Sequence, residues 1–349
     1  MRYLSIFFLI VSLFWIQVLP ANVFRQEADD FIKRLPPDLQ REQASAIRAA
    51  ENGKNQALQK IRGARNIASP LPEGVESCEI TPTLRLYRPT KKREKEKRAP
   101  LLIYFHGGGW TIGSINSCSK FCGALAQQGD LLVLAVDYRL APEHPFPQGL
   151  EDSLDAVAFA RQHVVAWGGS LDAISLGGDS SGGELALSVA LRLQQEKELQ
   201  PLRSLVLFYP VVYIGEKDSD SWKLFGARFG LDAELMNAFI HAYTNGEKET
   251  LKLSPLEASD ERLKALPPLL FIAADRDILR DQGKVFVARL KQLNVPVNYV
   301  LLSGTVHLFI TVLGQNAALQ TSIKLTCDFL NGTASDKIKP SRLKAVTVR

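Results

Sequence analysis

Cysteine is scarce: Cys78, Cys118, Cys122 and Cys327 are the only four in 349 residues. That is too few for a disulfide framework in a chain of this length. Cys118 and Cys122 stand four apart with no histidine or acidic cluster beside them, which argues against a zinc site. All four read as unpaired packing residues, with a single disulfide left open should the chain be exported. Neither basic run of the chain, Lys91–Arg98 or Ser335–Arg349, has interleaved aromatics, so a nucleic-acid surface is a poor reading. The net charge is only +5 and is unevenly spread. Lys91–Arg98 carries six positive and two negative side chains, and Ser335–Arg349 carries five basic residues against Asp336. The first run reads as a solvated hairpin loop and the second as a flexible tail. A weak attraction to an anionic membrane surface stays open. No glycine-rich turn carries the lysine of a P-loop, and none pairs Gly-x-Gly-x-x-Gly with a downstream acid.

What is there begins with an apolar run from Leu4 to Leu19, broken only by Ser5, Ser12 and Gln17. An early arginine, an apolar stretch and small Ala21 before charged sequence form a secretory-signal pattern, with cleavage expected after Ala21. The protein is therefore expected to be periplasmic or secreted. The rival is an uncleaved membrane anchor, because the run approaches bilayer-spanning length. At 46% apolar content, the 349-residue chain can bury one large core or two modest ones.

The segment that organises the rest is Gly178-Asp179-Ser180-Ser181-Gly182-Gly183. Ala173–Gly177 before it suits a buried strand, and Glu184–Leu191 after it has helical periodicity. Gly-x-Ser-x-Gly between strand and helix is a nucleophile-elbow pattern. A sharp turn of that kind leaves no room for side chains at Gly178 and Gly182. It presents the Ser180 hydroxyl at a helix N-terminus, where developing negative charge is favoured. Ser180 is accordingly the candidate nucleophile.

A second glycine cluster, His106-Gly107-Gly108-Gly109-Trp110, follows the apolar strand Leu101–Phe105. Glycines there let backbone N–H groups approach a substrate oxygen closely, as an oxyanion hole requires. Strand-length apolar runs at Leu84–Tyr87, Leu131–Val136, Leu205–Tyr209, Leu269–Ala273 and Val297–Leu302 alternate with helical segments at Leu150–His163, Asp281–Leu293 and Ala317–Phe329. Repeated strand–helix units predict an α/β fold with a mostly parallel central sheet flanked by helices. Two amphipathic segments within 25–68, separated by Pro36-Pro37, and an irregular insertion at 212–259 are expected to form a helical cap over the site. The insertion includes a predicted helix at Asp232–Tyr243. Residues 22–334 then make one domain.

These motifs, with Asp137–Pro147, Asp277-Ile278-Leu279-Arg280-Asp281 and Gly304-Thr305-Val306-His307-Leu308-Phe309, resemble the hormone-sensitive-lipase family of α/β-hydrolases over about residues 70–330. The resemblance implies a carboxylic-ester hydrolase with a triad of Ser180, Asp277 and His307. It implies oxyanion donors at Gly108, Gly109 and the Ser181 N–H, with Gly107 supporting. It also implies no metal and no cofactor, a small-molecule ester as substrate, and a structural rather than catalytic His144. Read from the residues alone, Asp275 and Asp277 compete on the same loop, while Asp281 suits the N-cap of the next helix. Glu184 departs from the asparagine usual in the family. Two rival functions remain: an amidase or peptidase on the same fold, and a non-catalytic binding relative, against which the presence of His307 counts. Esters of short to medium acyl chains are the expected substrates. Oligomeric state is left open.

Overall fold

The computed structural model describes residues 21–91, 97–194, 201–215, 218–247 and 254–332. The apolar run up to Leu19, the middle of the charged run and the basic tail lie outside those residues, as does part of the 212–259 insertion. Among the described residues no helix is long and apolar enough to cross a membrane.

Three helices open the chain: α1 (Ala21–Arg34), α2 (Leu39–Glu51) and α3 (Gln56–Arg65). The break at Pro36-Pro37 is where the sequence predicts it. A second break at Asn52-Gly53 divides what reads in sequence as one segment, and Gly53 adopts φ +78° there. These helices are more than a cover. Ala44 and Ile47 are fully buried in the main core, and Phe31 packs with Val306.

The sheet is built from β1 (Val75–Thr81), β2 (Leu84–Pro89), β3 (Ala99–Phe105), β4 (Leu132–Val136), β5 (Gly169–Asp179), β6 (Ser204–Phe208), β7 (Leu269–Arg276) and β8 (Val297–Val306). Their spatial order is β1-β2-β4-β3-β5-β6-β7-β8. From β4 to β8 all pairs are parallel, whereas β1–β2 and β2–β4 are antiparallel. Strands β4 and β6 are buried at every position, as expected where helices cover both faces.

This order corrects the reading of Lys91–Arg98 as a hairpin loop. β2 and β3 do not pair, because β4 lies between them, so the charged run belongs to a crossover. The hairpin is β1–β2. Edge strand β1 escapes the sequence pattern because Glu76, Ser77, Cys78 and Glu79 are all exposed. Glu76 and Glu79 pair with Arg88 and Arg85 of β2, and such charges discourage edge-to-edge association.

The remaining helices are α4 (Ser119–Gly129), α5 (Gln148–His163), α6 (Ser181–Leu193), α7 (Asp220–Phe225), α8 (Ala233–Thr244), α9 (Asp260–Lys264), α10 (Arg280–Gln292) and α11 (Asn316–Gly332). α4 gives little sequence signal because Gly123 interrupts it, yet that glycine is where Pro72 packs closest. α2 packs against α8 from the insertion, and α1 lies along β8. All four cysteines are free, Cys78 exposed and the others buried.

Candidate active site

The turn from β5 into α6 is sharp. Ser180 sits at φ +55°, ψ −119°, a conformation rare for a residue with a side chain. Its N–H donates to Phe208 O at 2.9 Å, and its carbonyl accepts from Val211 N at 3.1 Å, so β6 and the chain after it hold the turn. A Cβ at Gly178 would overlap the Gly182 backbone, and one at Gly182 would overlap Phe105 O. Both glycines are therefore required by close approach of the turn to itself and to β3.

Sheet register delivers the partners of Ser180. β7 and β8 are neighbours, and Arg276 is paired with Val306, so the next residues on each strand, Asp277 and His307, leave the sheet side by side. His307 Nδ1 is 2.6 Å from Asp277 Oδ2, and His307 Nε2 is 3.0 Å from Ser180 Oγ. Both Asp277 and His307 are buried, and Ser180 is 7% exposed. The other Asp277 oxygen accepts from Leu279 N at 2.9 Å.

The competing aspartates have other duties. Asp275 Oδ2 accepts from Gly304 N at 3.0 Å, bracing β8 just before His307. Asp281 is not the N-cap of α10, because that helix begins one residue earlier with Leu279 in the cap position. Instead Asp281 accepts from Ser221 N at 2.8 Å and pairs with Arg280, tying α7 to α10.

The Gly107–Gly109 loop is anchored from beneath. Asp179 Oδ1 accepts from Gly107 N at 2.9 Å and from the Tyr104 hydroxyl at 2.8 Å. Burial pushes the Asp179 carboxyl upward, against the pull of these two donors. Gly108 and Gly109 line one cavity with Ser180 and His307. Gly109 adopts φ +59°, and any Cβ there would overlap the Phe239 ring of α8. The Asp137–Pro147 stretch supports this loop, since Tyr138 OH donates to His106 O at 2.7 Å and Ala141 N to Trp110 O at 2.9 Å. His144 is exposed and does not line the cavity that holds Ser180.

Glu184 acquires a role that its sequence context does not reveal. One carboxylate oxygen accepts from Trp110 Nε1 at 3.0 Å and the other from the Ser188 hydroxyl, so α6 clamps the glycine loop through its tryptophan. Burial without a counter-charge pushes this carboxyl up to about 7 from an ordinary 4.5. The protonated form is thus favoured by folding. Its contribution to stability is complete below about pH 4.5 and is lost as pH rises toward 7. Glu184→Gln, which keeps an oxygen for Trp110 Nε1, presents an NH₂ that the Ser188 hydroxyl can accept and removes the charge, is expected to stabilise the protein at pH 8 by up to about 3 kcal/mol. At pH 5 it should do almost nothing. Denaturant midpoints at the two pH values check this, and an equal effect at both would refute it.

Other supporting residues carry no sequence motif. The Tyr209 ring lies 4.3 Å from the His307 ring, and its hydroxyl accepts from Ile310 N at 3.0 Å. Gln315 Nε2 donates to His307 O at 2.9 Å while its oxygen accepts from Val306 N at 3.0 Å. Both fix the backbone around His307. Neither stands near another site residue in the chain, so only the fold identifies them.

A serine held against a buried histidine–carboxylate pair, beneath a glycine loop and at a helix N-terminus, is the site of a carboxylesterase-type hydrolase. Comparison with known proteins agrees. The alpha/beta hydrolase fold family matches residues 102–311. Ethyl acetate hydrolase of Pseudomonas putida is 34% identical over 228 residues, covering 65% of this chain and 70% of that one. The carboxylic ester hydrolase LipN of Mycobacterium tuberculosis is 34% identical over 233 residues, covering 64% of this chain but only 61% of its own length. Among solved structures, an ester-hydrolase from the metagenome of Lake Arreo superimposes with TM-score 0.70 at 28% identity, covering 90% of this chain and 98% of that one. The chain belongs to the α/β-hydrolase family, in its hormone-sensitive-lipase type.

Proposed function

We propose that the protein hydrolyses carboxylic esters of short acyl chains by two-step acyl transfer. Ser180 Oγ attacks the ester carbonyl while His307 Nε2 takes its proton. Asp277 holds the imidazole in the tautomer that accepts at Nε2 and stabilises its cationic form. The N–H groups of Gly108, Gly109 and Ser181 receive the oxyanion, each such donor being worth about 3 kcal/mol in comparable sites. His307 then returns the proton to the departing alkoxide, and water, deprotonated by the same histidine, releases the acid from the acyl-enzyme. The observation that carries this reading is the unbroken Asp277–His307–Ser180 chain of contacts at 2.6 and 3.0 Å.

The preference for short chains rests on the space around Ser180. The cavity is about 50 Å³, narrow and walled by α2, α8 and the 308–312 loop. At roughly 10–15 Å³ per water, that is room for a few water molecules. A series of p-nitrophenyl esters tests both points. Turnover should peak at acetate to butyrate and fall at least about tenfold by dodecanoate, a loss of about 1.4 kcal/mol in transition-state binding. No turnover of any ester would sink the ester-hydrolase reading. A rate that rises through long-chain emulsions would sink only the chain-length claim, and faster cleavage of matched amides would move the assignment to an amidase.

A further inference from the structure

Helix α3 carries two arginines one turn apart with opposite fates. Arg62 is fully engaged: it donates to Thr111 O and to Ala141 O, both at 2.8 Å, and pairs with Glu143. These contacts lock α3 onto the glycine loop and the segment that supports it. Arg65, three residues on, turns instead into the cavity that contains Ser180, His307, Gly108 and Gly109. Among the described residues its guanidinium makes no hydrogen bond and no ion pair.

The cavity offers it nothing to pair with. Its wall contains no aspartate or glutamate and is otherwise dominated by Leu35, Leu39, Ile112, Leu235 and Phe239. Asp179, whose charge acts on Arg65 from outside the wall, gives Oδ1 to Tyr104 OH and Gly107 N–H and keeps Oδ2 without a hydrogen bond, yet no hydrogen bond or ion pair joins it to Arg65 among the described residues. Gln43 of α2, also in the wall and only 7% exposed, has a side-chain amide that is likewise without a hydrogen-bond partner among the described residues. Gln40 beside it accepts at its side-chain oxygen from Asp232 N at 2.6 Å, which fixes that amide against α8. Burial draws the Arg65 pKa down while Asp179 and Tyr209 oppose that shift. A guanidinium nonetheless stays charged in proteins. A half-buried cation facing apolar walls, with its fork of donors unused, is poised for a planar anion.

We propose that Arg65, with Gln43 of the same cavity, is a specificity-determining anchor for a carboxylate on the substrate, so that the preferred esters carry one negative charge on a short acyl or alcohol group. The inference rests on the ester-hydrolase reading above and names its substrate class. Because Arg62 fixes α3, the anchor is pre-positioned, and a charged ester gains orientation without ordering the helix.

Matched pairs that differ only in charge test it on the full chain. Monoethyl succinate against ethyl succinamate places the charge on the acyl side, and acetoxyacetate against acetoxyacetamide places it on the alcohol side. One pair should show kcat/KM for the charged member higher by on the order of 10²-fold, the range expected of a charge-assisted hydrogen-bonded pair. The pair that does so identifies the side. In Arg65→Met that ratio should collapse toward one, and Arg65→Lys should retain part of it, since the charge remains without the fork. Should Arg65→Met not fold, the wild type alone decides: succinate should inhibit neutral-ester turnover far better than succinamide. Neutral esters turned over with charged-to-neutral ratios of one or less in both pairs would overturn the anchor and leave the ester-hydrolase reading intact. A preference that survives Arg65→Met would overturn the assignment to Arg65. No turnover of any ester would overturn the underlying reading and the anchor with it.

Discussion

Ser180→Ala is expected to lower kcat for a p-nitrophenyl ester by on the order of 10⁶-fold, the scale seen when a serine nucleophile is removed from a histidine-activated site. The reasoning is local. Among the described residues the Ser180 hydroxyl has one hydrogen-bond contact, His307 Nε2 at 3.0 Å. Its backbone is held independently, by bonds of its N–H and carbonyl to Phe208 and Val211. Alanine therefore inherits the same turn at φ +55°, with the same strain and the same glycine clearances. Thermal unfolding should move by no more than about 1 kcal/mol equivalent, the worth of one lost hydrogen bond. Initial rates and an unfolding curve measured on the same preparation decide the matter. A variant that keeps even a hundredth of the activity would show that another group attacks the carbonyl.

Asp277→Asn is the second large effect, expected at about 10⁴-fold in kcat. Asparagine can still accept from Leu279 N, so the loop should keep its shape. What it removes is the negative charge 2.6 Å from His307 Nδ1. An amide can present its NH₂ to that nitrogen, which favours the tautomer with the proton on Nε2, unable to accept from Ser180. The buried imidazolium of the transition state also loses its counter-charge. Asp275→Asn provides the contrast. Its carboxylate braces Gly304 N rather than the imidazole, and an asparagine oxygen can keep that bond. The expected loss is within about tenfold, or about 1.4 kcal/mol. Parallel kinetics on the two variants test the assignment, which fails if Asp275→Asn proves the more damaging.

Much of the scaffold is legible without coordinates because its signals are short-range. The strands from Leu101–Phe105 to Leu269–Ala273 are mostly apolar runs, as burial on both faces demands, while Val297–Leu302, broken by Asn298, is the half-buried edge strand; each falls within the observed β3 to β8 or overlaps it to within a residue or two. What escapes are elements whose formation depends on a distant partner. Edge strand β1 is mostly exposed and polar, and α4 carries Gly123 where Pro72, from a distant segment, packs against it. The charged run misleads for the same reason: nothing within Lys91–Arg98 indicates that β4, some forty residues on, inserts between β2 and β3.

The site divides along the same line. By itself the sequence determined the elbow around Ser180 and the glycine loop 107–109, because close backbone approach forces glycine at particular positions, and that constraint is written in adjacent residues. It also narrowed the acid to two aspartates, and a resemblance rather than spacing chose between them. Only the tertiary structure decided how His307, 127 residues from Ser180, comes within 3.0 Å of it. The register that pairs Arg276 with Val306 places Asp277 and His307 at one sheet edge. Tyr209, Gln315 and Arg65 were likewise invisible, each a common residue type with no motif around it, and Glu184 stood out only as a departure from the family pattern, without a role. Their roles come from what surrounds them: a histidine backbone to hold, a tryptophan to clamp, or a cavity wall with no opposing charge. Burial and partnership are properties of the folded packing, and no local pattern encodes them.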